Sequence, residues 1–250
     1  MPPSKMLPPS EPSVSTKRVG RRPKAEGSKK ADLSRDAVVL CAVAIAKNES
    51  LSDVSMVRLG RELGVAAGLI HYYMGSRDGL ISAVINQAFK ERLQLLPLFT
   101  GDWRVDAEAF ARASVESLTQ WPGMATYVLT ENRFRLFQRV APGETDYGLA
   151  YFDHIGRMLK NANFSGPNAA VAYHLLMLFI SVIAAEKENK QAPGLHADFI
   201  SGYLARHSEQ QYPGAMFLAA PFSGIESDTT FERGLSVLLD GIELWRTPSC

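Results

Sequence analysis

The sequence predicts an all-α protein, and three observations carry that reading. From about residue 33 onward, apolar side chains recur at three- and four-residue spacings, the period of a helix with one face inward. No stretch keeps the apolar–polar alternation of a half-buried strand. Breaks fall at Pro122-Gly123, Pro142-Gly143, Gly166-Pro167, Pro193-Gly194 and Pro213-Gly214, pairs that end helices and turn the chain. There is no internal repeat. The 250 residues, 46% hydrophobic and 21% charged, suit one large or two small domains with a sizeable core.

Residues 1 to 32 differ from the rest. They are rich in Pro, Ser, Lys and Arg, with too little apolar surface to fold alone, so they read as an arm disordered when free. Residues 1 to 35 hold nine basic and three acidic side chains, a balance of +6 that leaves −5 on the remainder of a chain whose net charge is +1. A basic head on an acidic body points to a polyanion at one end only. Val19-Gly20-Arg21-Arg22-Pro23-Lys24 resembles the short Gly-Arg-Pro arms that lie in the minor groove of A·T-rich DNA. A tail that merely keeps the chain soluble fits the same residues.

The first helix is expected from Ser34, as N-cap, to about Lys47, with Val38, Cys41, Ala42 and Ile45 as its inward stripe. Asn48-Glu49-Ser50 ends it, and Ser52, Asp53 and Ser55 are candidate caps for the next. Residues 55 to 80, SMVRLGRELGVAAGLIHYYMGSRDGL, read as two short helices around Gly64, where a tight turn needs a positive φ. Leu59, Leu63, Val65, Ile70 and Met74 face inward. His71-Tyr72-Tyr73 puts polar groups on the other face, the division a helix needs to sit in the major groove. A further helix follows from about Arg77 to Leu96.

Beyond it, helical periodicity marks 106–121, 123–138, 147–163, 168–189, 195–208 and 229–246. The apolar run Ala169–Ala185 falls short of the ~20 residues of a membrane span and reads as a buried helix. Thr229 and Glu232 have capping-box spacing. Phe231, Leu235, Leu238, Ile242 and Trp245 then form a seam stepping by four and three, with Gly234 and Gly241 seven apart to admit a neighbouring helix. The seam can close within the chain or against a second copy. The second is expected, because a 168–189 helix apolar nearly all round needs more cover than one chain supplies.

The residues from Ser55 through LGRELGV (59–65), GLIHYYM (68–74) and SRDGL (76–80) resemble the DNA-binding domain of the TetR family of transcriptional regulators. The chain departs from the family pattern at His71, where Tyr is usual, at Met74 for Phe and at Ala66 for Ser. The 231–243 segment is similar to the C-terminal helix of regulators with a tetracycline-repressor type of body. By position in the motif, the resemblance implies DNA contacts from Ser55, Arg58, Ala67, Gly68, Leu69, His71, Tyr72, Tyr73 and Arg77. Ser55, Tyr73 and Arg77 suit phosphates; Tyr72 and Arg58 suit bases; Ala67, Gly68 and Leu69 offer mainly apolar contact. His71 is expected either to meet a phosphate or to pack on the first helix.

The resemblance also implies a ligand pocket in the body whose occupation moves the helix starting at Arg77. Candidate lining residues are Trp121, Tyr127, Glu131, Asn132, Phe134, His174 and Met177, with His174 open to a second reading as a satisfied core histidine. The domains expected are a basic arm (1–32), a helix-turn-helix head (33–80) and a helical ligand-binding and dimerisation body (81–250). No Ser/His/Asp order, metal-spaced cluster or phosphate loop marks an enzyme, a metal site or a cofactor site. Cys41 reads as a small core residue, Cys250 ends the chain, and no apolar leader is visible, so a cytoplasmic location is expected. The function implied is a homodimeric, sequence-specific DNA-binding regulator that leaves a palindromic operator when a small, largely apolar ligand binds. A regulator or architectural protein without a ligand is the alternative.

Overall fold

The computed structural model describes residues 33–131 and 133–246. The 1–32 arm with its Gly-Arg-Arg-Pro segment, Asn132 and Cys250 lie outside the described residues. From Leu33 onward the chain makes one compact unit. Among the described residues there are helices and turns, with one isolated bridge between Phe164 and Arg246.

Three short helices come first: α1 (Arg35–Asn48), α2 (Met56–Glu62) and α3 (Ala67–Met74). Serine starts two of them. Ser34 Oγ accepts from the Ala37 N–H, and Ser55 Oγ from the Arg58 N–H, satisfying donors that a helix start leaves open. Ala66, where the family pattern has Ser, caps α3 with no side-chain bond. A 3-10 turn at Leu51–Asp53 precedes α2 and buries Leu51, a feature the sequence did not announce. Gly64 has φ of +66°, as the turn requires. Gly60 has a different job: a Cβ there would lie 2.9 Å from the Val65 carbonyl oxygen and 3.1 Å from the Ala67 nitrogen. Its bare backbone sets how closely α2 meets the start of α3.

The long α4 (Arg77–Leu95), capped by Ser76, runs out of this trio into the body. It packs on α1 and α3, then on α5 (Trp103–Thr119) and α7 (Tyr147–Asn161). The body also holds α6 (Met124–Thr130), α8 (Gly166–Glu188), α9 (Ala197–Leu204), α10 (Pro213–Ser223) and α11 (Ser227–Glu243). One continuous core runs from Val38 in α1 to Ile242 in α11, so the boundary expected at 80/81 falls inside a helix buried on both sides of it.

Several expectations need correcting. The helix expected over 123–138 stops at Thr130, and residues 133–140 form an irregular strap. The strap's arginines reach across to α4 instead: Arg135 Nη1 lies 2.8 Å and Arg133 Nη1 2.7 Å from Asp78 Oδ1, while Arg135 Nη2 lies 2.9 Å from Glu131. Pro213-Gly214 opens α10 rather than ending an element, since proline suits a first helical turn. The Thr229–Glu232 capping box does not form, because α11 begins at Ser227 with Glu226 as N-cap.

The expected partner seam closes on the chain's own core. Phe231, Leu235 and Ile242 are buried, and Leu238 and Trp245 are packed against the core. Arg104–Asp240 and Arg112–Glu232 ion pairs tie α11 to α5. Gly234 admits the chain's own Phe179 ring, which would lie 2.7 Å from an added Cβ. Nor is α8 buried all round. At 23 residues it is long and apolar enough, by length and composition alone, to cross a membrane. Yet Val171, Leu178 and Val182 form an exposed stripe on it, and Val237, Gly241 and Leu244 form another on α11. No residue of α9 or α10 is buried, and Phe199, Tyr203 and Phe217 stand exposed on that hairpin.

Two predictions follow from these contacts. Gly60→Ala should gain up to about 1 kcal/mol of helix propensity but lose about 1–3 kcal/mol to the clash with the Val65–Ala67 backbone. The net loss should appear as a lower urea midpoint, and a higher one would show that α2 and α3 can separate without cost. Burial by itself would raise the Asp78 pKa, but hydrogen bonds and charge from Arg135 and Arg133 outweigh it and hold the carboxyl below its ordinary value. Its contribution to stability is therefore present at neutral pH and lost as the pH falls through the lowered pKa, below about 4. Asp78→Asn should cost about 2 kcal/mol at pH 7. Thermal melts should show the gap between the two proteins closing as the medium is acidified; a gap independent of pH would remove the carboxylate from the explanation.

Candidate nucleic-acid interface and ligand cavity

The outer side of α2 and α3 carries most of the residues expected to meet DNA. Ile70 and Met74 turn inward, which fixes α3's rotation and leaves Gly68, Leu69, His71 and Tyr72 exposed. Tyr72 is the most prominent, at 79% exposure, with its ring edge-to-face against half-buried Tyr73 at 5.4 Å. Ala67 is also half-buried. His71 is exposed, so of its two expected placements, packing on α1 is not the one observed. Ser55 accepts a backbone N–H through its oxygen, and its O–H can still donate outward.

Arg58 is already engaged. Its Nε bonds Glu62 at 2.7 Å and its Nη2 bonds Glu49 at 2.8 Å, and hydrogen bonds to these two carboxylates raise its pKa. Reading a guanine would require both pairs to open. Arg77 is exposed at the start of α4, and its charge is felt by Tyr127 and Glu131 of the body. The next residue, Asp78, is held by the strap.

Behind this junction lies a cavity of about 230 Å³, walled by α4 (Ile85, Phe89), α6 (Met124), α8 (Tyr173, Met177) and the strap (Phe134). Of the residues expected to line it, Phe134, His174 and Met177 do. His174 is exposed at its α8 edge and is not a core histidine. Trp121, Tyr127 and Glu131 do not line it. Trp121, 1% exposed, is a core side chain with the Lys47 ammonium 5.0 Å from its ring centre. Tyr127 and Glu131 belong to the polar cluster around Arg135, where burial, then Glu131, raises the tyrosine's pKa. The three charged residues of the lining, Arg92, Arg133 and Arg135, went unremarked in the sequence. Nothing in their local pattern separates them from surface arginines, since only the strap's return to α4 brings them together. Among the described residues no group of three or more His, Cys, Asp or Glu is placed to hold a metal.

Comparison with known proteins agrees with this architecture. Residues 97–245 match the model of the tetracyclin repressor-like C-terminal domain. The HTH-type transcriptional repressor DrrR1 of Streptomyces coeruleorubidus is 31% identical over 103 residues, 41% of this chain and 37% of that protein. The chain thus spans about two fifths of the length of the curated relatives it matches. Among solved structures, apo ActR of Streptomyces coelicolor superposes with a TM-score of 0.70 at 25% identity, covering 86% of this chain and 98% of ActR. BioQ of Mycobacterium smegmatis, solved with its double-stranded DNA operator, shares the fold, with a TM-score of 0.57 at 18% identity over 85% of this chain and 99% of BioQ. With a family model matched over more than half its length, the chain belongs to the tetracycline-repressor-like family of regulators.

Proposed function

We propose that this protein is a sequence-specific DNA-binding repressor, a two-fold dimer released from its operator by a small molecule in the cavity. The observation that carries this reading is α4. One helix starts beside the exposed face of α3 and, two turns on, forms a wall of the cavity. Phe134 of the strap lines the cavity, and Arg133 and Arg135, two further lining residues, hold Asp78 at the first turn of α4. A ligand that displaces the strap would shift α4's start, and with it α3. A collapsed interior would have favoured a ligand-independent architectural protein, and a cavity of this size argues against it. ActR has been solved with actinorhodin bound and BioQ with DNA, which supports both halves of the reading by family likeness.

On DNA, Tyr72 would read bases while Ser55, His71, Tyr73 and Arg77 would hold phosphates, with Ala67, Gly68 and Leu69 against thymine methyls. Arg58 would steady α2 through Glu49 and Glu62 rather than contact a base. The exposed stripes of α8 and α11 would form the dimer contact, in place of the inward seam. A two-fold dimer then implies an inverted-repeat operator with half-sites one or more helical turns apart.

Selection from random duplexes should return such a repeat. On it, Tyr72→Ala should cost about 1–3 kcal/mol while hardly changing non-specific binding, whereas Arg77→Ala should weaken both together. Failure to enrich any sequence would end the reading, and equal effects of the two substitutions on the specificity ratio would end the division of labour. Val237→Glu tests the dimer, because Val237 is 72% exposed and its replacement leaves the core untouched. A charge desolvated without a partner should split the dimer in sedimentation and abolish tight operator binding. A variant that stays dimeric would place the interface elsewhere.

A further inference from the structure

Arg92 lies on α4, 6% exposed, with its side chain at the cavity wall. A guanidinium keeps its charge at any physiological pH, so burying it requires compensation. The other two arginines of the cavity have it, in Asp78 and Glu131. Arg92 has only neutral company among the described residues. Its Nε is 3.4 Å from Ser117 Oγ, the outer limit of a hydrogen bond, and its guanidinium carbon lies 5.2 Å from the centre of the Phe89 ring and 5.3 Å from that of Tyr151. No Asp or Glu lines the cavity. The aromatic faces hold the guanidinium in place and partly offset its burial. The Tyr151 hydroxyl also takes a hydrogen bond from the guanidinium, but no carboxylate meets its remaining in-plane N–H donors, the edge that suits the bidentate geometry arginine favours.

We infer that the cavity takes an organic anion with an aromatic body, its acidic group paired with Arg92. The apolar and aromatic lining, Phe134, Tyr173 and Met177 among it, suits flat hydrocarbon. The arginine in that lining selects the charge and would be left unpaired by a neutral ligand of the same shape. This refines the effector expected above, which was largely apolar, by adding one acidic group at a fixed place. It rests on the cavity being the effector site.

The test uses the full chain without DNA and two fluorescent probes of one aromatic framework: 1-anilinonaphthalene-8-sulfonate, an anion, and N-phenyl-1-naphthylamine, which is neutral. Arg92→Met, close in shape but uncharged, should weaken the sulfonate about tenfold or more, the worth of a hydrogen bond to a charged group, and leave the neutral probe within twofold. Arg92→Lys should retain part of the preference. Equal loss of both probes in Arg92→Met, or no loss of the sulfonate, would overturn the inference. A second arm needs no variant: on the unmodified protein, anthracene-9-carboxylate should displace the neutral probe at a concentration about tenfold or more below that of anthracene-9-carboxamide. Equal displacement would overturn the inference even if Arg92→Met did not fold. Because no operator is present, failure here leaves DNA binding and release by a neutral ligand standing, while failure of the repressor reading leaves the charge preference intact.

Discussion

Enclosure of α4 is the constraint on which the rest of the molecule depends. Ten of its residues are buried, from Leu80 to Arg92, which for a helix leading out of a small bundle requires cover from two directions. α1, α3, α5 and α7 supply that cover, and α1 runs far enough along α4 for Lys47 to pair with Glu91. Asn86 fastens the middle: its Nδ2 donates to the Thr145 carbonyl at 2.9 Å and its Oδ1 accepts from the Tyr147 N–H at 2.8 Å. A buried amide satisfied on both sides fixes the loop before α7 to α4. The core of the small N-terminal bundle is continuous through this helix with that of the body.

That enclosure makes the polar groups on α4 consequential. Asp78 at its start and Arg92 near its end are both charged, both largely out of water, and served differently. Asp78 has more cations than it needs, with Arg133 and Arg135 close and Arg139 at 3.7 Å. Arg92 has none of the carboxylates that would neutralise it. The strap thus concentrates positive charge along one side of the cavity, and the surplus is greatest where the ring faces of Phe89 and Tyr151 fix the guanidinium. Excess charge of one sign in an apolar enclosure is a statement about what enters it.

The outer surface poses the opposite problem. The stripes on α8 and α11 and the whole of the α9–α10 hairpin leave large apolar side chains in water. Their intramolecular faces are already saturated: Phe179 stacks near Phe231 at 6.0 Å, and ion pairs from α5 clamp α11's flank. Among the described residues nothing further covers these faces, which is the physical basis of the proposed dimer.

Local sequence determined the helix class, the serine caps at Ser34 and Ser55, the positive φ at Gly64 and the inward set Leu59, Ile70 and Met74. Each depends on a residue and its near neighbours, through periodicity, a hydroxyl at a helix start, or a missing Cβ. The exposed face of α3 was legible for the same reason, since what does not point inward on a short helix must point outward. Tertiary structure alone decided which side of α11 faces the core, because a seam of Phe231, Leu235 and Ile242 is equally good against the chain's own α5 and α8 or against a second copy. It also decided that Thr130 ends α6, since arginines that would extend a helix are spent instead on Asp78, more than fifty residues earlier. Arg92 shows the division most plainly: periodicity can place an arginine on a helix, but whether a carboxylate waits for it depends on every element that packs around it.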